Sequence, residues 1–324
     1  MTDRISWTIA GLGQLSILLE VSSPKPGNVN RLRRFSDTGY RHFLASASMV
    51  GRGLHLAADR GARFSKGEIE ASNVGIGEVI RECVSDSLNG INQRNTIFGT
   101  LLLYIPLVTG TAASINSCGC YSVDDVRKWI KIVLDNTTVQ DTIEVYRAFH
   151  IAQPAGELNK EEASWTESHD RFAIDNPKVF ENILEDKMKL QQLFAMSAEV
   201  DPICREWAEY YKLVLHEVFP YLDAHSRGLE DLEEGIVRTF VWLLSRYRDG
   251  LIIKKAGAKQ AEDVRLLAEK VMKESSENQK GEEMLALLDE ELRREGNTLN
   301  PGTTADLVSA AIFCKLVSLS FQRG

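Results

Sequence analysis

The chain has 324 residues, 38 Lys plus Arg against 46 Asp plus Glu, and a formal net charge of −8, which excludes a generally basic nucleic-acid-binding domain. With 44% hydrophobic and 26% charged residues and only 23 Gly and 8 Pro, it is not linker-rich or collagenous and can fill a packed core. Five cysteines, at 83, 118, 120, 204 and 314, are an odd number with no His or Cys completing a tetrahedral set beside the C-x-C pair Cys118 and Cys120, so they read as reduced thiols that bind no metal.

Apolar residues recur at three- and four-residue steps almost throughout, without sustained strand-like alternation. A first helix is expected near 4–21. Its uncharged stretch Ile5 to Leu19 follows Asp3 and Arg4 and precedes no A-x-A pattern, so it reads as a buried helix and not a signal peptide. Helices follow near 38–60, 75–90 and 94–108. The last begins the uncharged stretch Asn95 to Val123, whose apolar part, Ile97 to Val108, is broken by Gly99, Thr100 and Pro106. It reads as a core helix too short for a membrane span.

Further helices are expected near 123–135, opened by Ser122 before Val-Asp-Asp, and near 138–152 and 176–195. The clearest periodicity lies in 199–222, where Ile203, Trp207, Tyr210, Tyr211, Leu213, Val214 and Val218 fall on helical steps. Then come 229–248, 260–274, 281–295 and 302–321, the last capped by Thr303 or Thr304 with Asp306 in its first turns. The pattern predicts an all-α, single compact domain over 1–324, with ten to twelve helices and a solvated loop at 274–283 (ESSENQKGEE). No internal repeat is visible.

The acidic average hides two reversals. Lys25, Arg31, Arg33, Arg34 and Arg41 face only Asp37 within 25–41, and Arg246, Arg248, Lys254, Lys255 and Lys259 face only Asp249 within 246–259. Each window is +4, which leaves the remainder at −16. Positive charge concentrated in turns of an acidic protein suits a polyphosphate; the plain alternative is a solvated basic loop. No aromatics interleave with either window, so stacking on single-stranded nucleic acid has no support.

G-L-G at 11–13 and G-R-G-L-H-L-A at 51–57 follow no strand and read as helix-packing glycines instead of dinucleotide fingerprints. The six histidines lack metal-ligand spacing. Three segments stand out. Glu20 to Val29 (EVSSPKPGNV) sets Lys25 between two prolines and ahead of Gly27, which permits unusual backbone. Gly90 to Gly99 (GINQRNTIFG) is a polar loop opening a buried helix. Asn300 to Leu307 (NPGTTADL) is a polar turn at a helix N-terminus, where free N–H groups suit an anion.

Together these segments, with Ser36-Asp37-Thr38 and Phe43-Leu44-Ala45-Ser46-Ala47, resemble the triphosphoribosyl-dephospho-CoA synthase family, the enzymes that serve citrate lyase and malonate decarboxylase. The likeness is nearest to the shorter archaeal-type branch, through Glu144 to Ala148, Arg205-Glu206-Trp207 with Ala208, and Arg238-Thr239-Phe240. Where the bacterial enzymes usually show N-T-H-K-G, this chain has Asn92-Gln93-Arg94-Asn95-Thr96. Where they show D-T-N-V-L-x-R-G-G, it has Asp249 to Gly257 (DGLIIKKAG). A basic residue is kept at each place.

The resemblance implies a cytoplasmic pentosyl transferase in which the 2'-hydroxyl of 3'-dephospho-CoA attacks C1' of ATP and adenine leaves. Such chemistry needs a triphosphate clamp, a base, and negative potential near C1'. The candidates are Lys25, Gly27, Arg33, Arg34, Lys255 and Thr303 for phosphate, Asn92 and Arg94 for ribose or phosphate, and Asp37, Glu78 and Asp306 for catalysis. Glu78 and Asp306 are also the candidates for Mg²⁺. Partners are then ATP and the acceptor, with neither nucleic acid nor membrane, and a homo-oligomer is compatible. Two alternatives stay open: the same site with another acceptor, and a noncatalytic nucleotide-binding protein.

Overall fold

A computed structural model describes residues 2–89, 91–154, 166–199, 201–274 and 278–322, and among these there is no strand. In chain order the α-helices are α1 (Thr2–Ser22), α2 (Tyr40–Met49), α3 (Gly51–Ser65), α4 (Ile76–Ser87), α5 (Phe98–Cys118), α6 (Val123–Asp135), α7 (Val139–Ala152), α8 (Glu167–Arg171) and α9 (Val179–Glu185). They continue with α10 (Leu190–Met196), α11 (Pro202–Ala208), α12 (Phe219–Ala224), α13 (Leu232–Arg246), α14 (Gly250–Ala256), α15 (Ala258–Glu274), α16 (Asn278–Arg293) and α17 (Gly302–Ser320).

The all-α expectation agrees, but seventeen α-helices among the described residues replace the ten to twelve expected. The excess comes from breaks that periodicity does not register. The expected helix 38–60 splits at Val50, because Gln14 Nε2 donates to the terminal carbonyls of Ala47 (2.8 Å) and Ser48 (3.1 Å). The expected helix 176–195 turns at Lys187, whose φ is +49°. The expected helix 199–222 breaks at Tyr210 and Tyr211, both left-handed with φ of +54° and +61°, and the Glu206 carboxylate accepts the N–H groups of Leu213 and Val214 at 2.9 Å across the break. Helices α8 and α14 had no counterpart. The interval expected as a loop at 274–283 is helical through Glu274 and again from Asn278, with 275–277 outside the described residues.

Helix α5 carries the centre of the core. At 21 residues it is long and apolar enough to cross a membrane, as are Asp3–Ser22 and Gly302–Ser320, which corrects the reading of this segment as too short. Within the protein, however, 94% of its apolar window is buried, against 78% for α17 and 44% for α1. Pro106 does not end α5. Its missing N–H frees the Leu102 carbonyl, which instead accepts from Trp207 Nε1 (3.1 Å), while Tyr211 Oη donates to the next carbonyl, Leu103 (2.7 Å).

The main core cluster runs from Ile9 on α1 to Val317 on α17. Tyr104 of α5 joins the two terminal helices, sharing a 2.6 Å hydrogen bond with Ser16 of α1 and donating to the Ser309 carbonyl of α17 at 2.8 Å. Gly53 is a packing glycine, as expected, since a Cβ there would lie 2.2 Å from Cys83 Sγ of α4, but Gly11 is not, since a Cβ there would meet nothing within 4 Å. With α1, α5 and α17 fixed together, the end of α1 and the starts of α5 and α17 meet at one place. There Asn28 Nδ2 donates to Asn300 Oδ1 at 2.9 Å.

Candidate active site

A cavity of about 470 Å³ opens at this junction. Its wall includes Asn28 and Asp37 from the loop after α1, Arg94 to Thr96 from the loop before α5, Gly99 and Thr100 of α5, Asp201 at the start of α11, Lys254 and Lys255 of α14, and Asn300 to Asp306 in part at the start of α17. Phe35, Phe43, Phe98, Phe149 and Phe194 supply apolar surface. Aromatic faces with a few convergent charges suit a nucleotide better than a purely apolar ligand.

Two aspartates fix the helix starts. Asp201 accepts the N–H groups of Ile203 (2.8 Å) and Cys204 (3.3 Å), and its other oxygen holds Lys254 Nζ at 2.6 Å. The Asp-Pro pair suits this: the carboxylate caps, and Pro202 occupies the first turn where no N–H is needed. Burial pulls Asp201 upward, but Lys254 and the two N–H groups outweigh it and hold its pKa below the ordinary range. Asp249 caps α14 through Leu251 and Ile252, and its Oδ2 accepts Thr304 N (2.7 Å) and Oγ1 (2.8 Å) at the start of α17. The cap expected from Thr303 or Thr304 is therefore supplied by Asp249, one residue serving two helices.

Asp306 does not cap its own helix. Its Oδ1 accepts from Thr100 Oγ1 at 2.5 Å in the first turn of α5, and its Oδ2 approaches so closely that a Cβ on Gly99 would lie 2.1 Å away. Burial pushes its pKa up to about 8, the charges of Glu20, Asp249 and Asp201 add to this, and the Thr100 bond opposes it. Arg94 and Lys255 line the same cavity. Lys255 Nζ donates to the Asn297 carbonyl at 2.9 Å, and partial burial lowers its pKa against the pull of Asp37 and Asp249. The cavity thus combines an easily protonated carboxylate with cations, an arrangement fitted to proton transfer beside a phosphorylated substrate.

Of the residues singled out in the sequence, Asp37, Arg94, Lys255, Thr303 and Asp306 line this cavity. The others do not. Lys25 is 0% exposed and ion-paired with Glu20 at 2.9 Å. Burial lowers Lys25 and raises Glu20, each opposed by its partner. Gly27 does take φ of +70°, but its N–H donates to Asp289 Oδ1 at 2.7 Å. Arg33 is paired with Asp289 and Glu290, and Arg34 is exposed outside the cavity. Asn92 is 1% exposed; its Nδ2 donates to Ser46 Oγ, Ser87 O and Arg94 O, so it shapes the loop that presents Arg94. Glu78 lies elsewhere, paired with Arg60 at 2.7 Å in the first turn of α4. It cannot share a metal with Asp306. Among the described residues no group of three or more His, Cys, Asp or Glu is placed to hold a metal ion.

Sequence reading missed Glu20, Thr100, Asp201, Lys254 and Asn297, all of which line the cavity. Glu20 lay inside a highlighted segment and Asp201-Pro202 carried a readable cap signal. Lys254 stands in the second basic window beside Lys255, whereas nothing local distinguishes Thr100 or Asn297.

Comparison with known proteins follows the same line. No curated protein matches the chain. A crystal structure described as a triphosphoribosyl-dephospho-CoA synthase of Archaeoglobus fulgidus superposes with a TM-score of 0.60 at 24% identity, covering 85% of this chain and 98% of that one, a likeness of fold. The family model for ATP:dephospho-CoA triphosphoribosyl transferase matches residues 6–323, and the chain belongs to that family of transferases.

Proposed function

We propose that the cavity at the starts of α5 and α17 is where the triphosphoribosyl group of ATP passes to the 2'-hydroxyl of 3'-dephospho-CoA. The new bond joins the 2'-oxygen to C1', the bond from C1' to adenine breaks, the hydroxyl proton goes to Asp306, and adenine leaves with a proton from solvent or the wall. The observation that carries this is Asp306: a cavity carboxylate with a pKa of about 8, held by Thr100 on one oxygen and given room beside the other by Gly99. A base works best when its pKa lies near the working pH. The carboxylates Glu20 and Asp201 add negative potential for the positive charge that builds at C1'.

Arg94 and Lys255 are the side chains we assign to substrate phosphate or ribose, with Thr303 beside them. Mg²⁺ enters sites of this kind on the nucleotide's phosphates with one or two protein carboxylates. It stays in the proposal as a companion of ATP, and no step depends on it. The reading also keeps a single domain, supported by the core cluster from Ile9 to Val317. It keeps a cytoplasmic location away from membranes, supported by the burial of α5 and α17 inside the protein. A homo-oligomer is compatible with it.

The test is incubation of the protein with ATP, Mg²⁺ and 3'-dephospho-CoA while free adenine and product mass are followed. Adenine with a triphosphoribosyl adduct is the expected result. ATP binding without adenine release would remove the assignment and return attention to another acceptor.

A further inference from the structure

The second basic window is not used up by the first cavity. Of its five cations, Lys254 is neutralised by Asp201 and Lys255 is tied to Asn297. Arg246, the last residue of α13, and Arg248, in the turn before α14, are both exposed, and among the described residues neither makes an ion pair. They line a second cavity of about 400 Å³ together with Arg205, whose one hydrogen bond to the described residues is a 3.4 Å contact with the Ala198 carbonyl. The two cavities share Asp201 and Thr303 in their walls.

The acidic groups of this second cavity are already engaged, with one exception. Glu262 is held by Arg265 at 2.7 Å, Asp201 by Lys254, and both oxygens of Asp249 by N–H and O–H donors. The charge of Arg248 also reaches Glu262 and helps to lower its pKa, after the bond from Arg265, and Glu199 is the carboxylate of this wall that makes no ion pair among the described residues. In a protein with more acids than bases, arginines elsewhere mostly find carboxylates, as Arg31 finds Glu233 and Arg33 finds Glu290. Three unpaired forks around one hollow are the donor set that a chain of phosphates needs, because each planar guanidinium can hold two phosphate oxygens.

We propose that this second cavity is the subsite for the phosphate chain of a nucleoside 5'-polyphosphate whose ribose reaches the first cavity past Asp201 and Thr303. Only the identity of the nucleotide rests on the transferase reading. The triphosphate of ATP and the diphosphate of dephospho-CoA share the chemistry the arginines recognise.

The experiment has two arms. Inorganic tripolyphosphate is titrated calorimetrically into the protein and into an Arg246→Ala, Arg248→Ala double variant. KM is then measured separately for ATP and for dephospho-CoA. Both side chains are exposed and unpaired, so the variant's melting curve should be unchanged. Tripolyphosphate binding weakened about tenfold or more is expected, with kcat kept and one KM raised by a similar factor: that of ATP if the triphosphate lies here, that of dephospho-CoA if its diphosphate does. Absence of tripolyphosphate binding to the unaltered protein would overturn the proposal, as would a double variant that binds it equally and keeps both KM values. If the unaltered protein releases no adenine, the transferase reading fails while the titration still decides the subsite.

Discussion

Replacing Asp306 by Asn separates a proton acceptor from a polar group that only holds its neighbours, because the amide keeps the shape and the Thr100 contact but cannot ionise. A positioned base contributes about 10²–10⁴-fold to rate, so kcat should fall by that factor with little change in KM. The pH profile adds a second readout. In the native protein kcat/KM should climb with the ionisation of a group near pH 8, and D306N should lose that limb. Stability moves the other way. The native pKa lies above the unfolded value of 3.8, so the native state holds its proton while the unfolded chain has released it. The stability Asp306 contributes is complete below about pH 4, is lost as pH rises towards 8, and changes no further above that. The shift spans about four units, and at about 1.4 kcal/mol each the ceiling is about 6 kcal/mol. Asp306 is only half-buried, so water reduces the effect to on the order of 1–3 kcal/mol. Urea titrations of both proteins from pH 5 to 9 read it directly: D306N should gain on the native protein as pH rises. A variant within tenfold of native kcat, or a stability difference flat across that range, would refute the assignment.

Gly99→Ala puts a methyl where Asp306 Oδ2 now lies, 2.1 Å away; we expect a loss of kcat that mirrors D306N, with the helix still formed by circular dichroism. Lys25→Met leaves Glu20 uncompensated and should destabilise by about 3–5 kcal/mol, while the ATP KM of the folded fraction stays near native; a raised KM with normal stability would restore Lys25 as a phosphate ligand. Asp249→Ala removes the caps of α14 and α17 together, each worth about 0.5–2 kcal/mol, so a chemical denaturation midpoint lowered by the sum of the two is expected, and a change no larger than one cap would show that Thr304 finds another acceptor.

Helical periodicity was sufficient to recognise the class of fold because the buried residues of α3, α6 and α13, such as Val126, Ile130, Val133 and Leu134, recur at the spacing that a helix with one buried face demands. The breaks escaped for a specific reason. At Tyr210 and Tyr211 the chain turns through two left-handed residues without Gly or Pro, and the gap is closed by Glu206, a side chain that the pattern counts as an ordinary polar position. The α2–α3 break is likewise stabilised by Gln14, more than thirty residues earlier. Pro106 failed in the opposite sense: it looked like an interruption, yet Trp207 satisfies the carbonyl it leaves open. In each case the deciding partner is distant in sequence.

Charge followed the same logic, and it explains why the site was only half legible. Both basic windows are real in composition, but a cation's availability depends on which carboxylate the fold brings to it. Lys25 meets Glu20 at the end of α1, and Arg31 and Arg33 meet Glu233, Asp289 and Glu290, so two arginines of the first window cross-link the start of the chain to α13 and α16. In the second window, Lys254 is spent on Asp201 while Arg246 and Arg248 are left facing a hollow. Two windows of identical net charge therefore have opposite uses. Asp306 shows the same division among acids: Glu78 and Asp306 both occupy the opening turns of helices, yet Glu78 has found Arg60 at the surface, and Asp306 has been driven among other carboxylates where only Thr100 donates to it. What separates Asp306 from Glu78 is that the fold brings a cation to Glu78 and only a hydroxyl, among the described residues, to Asp306.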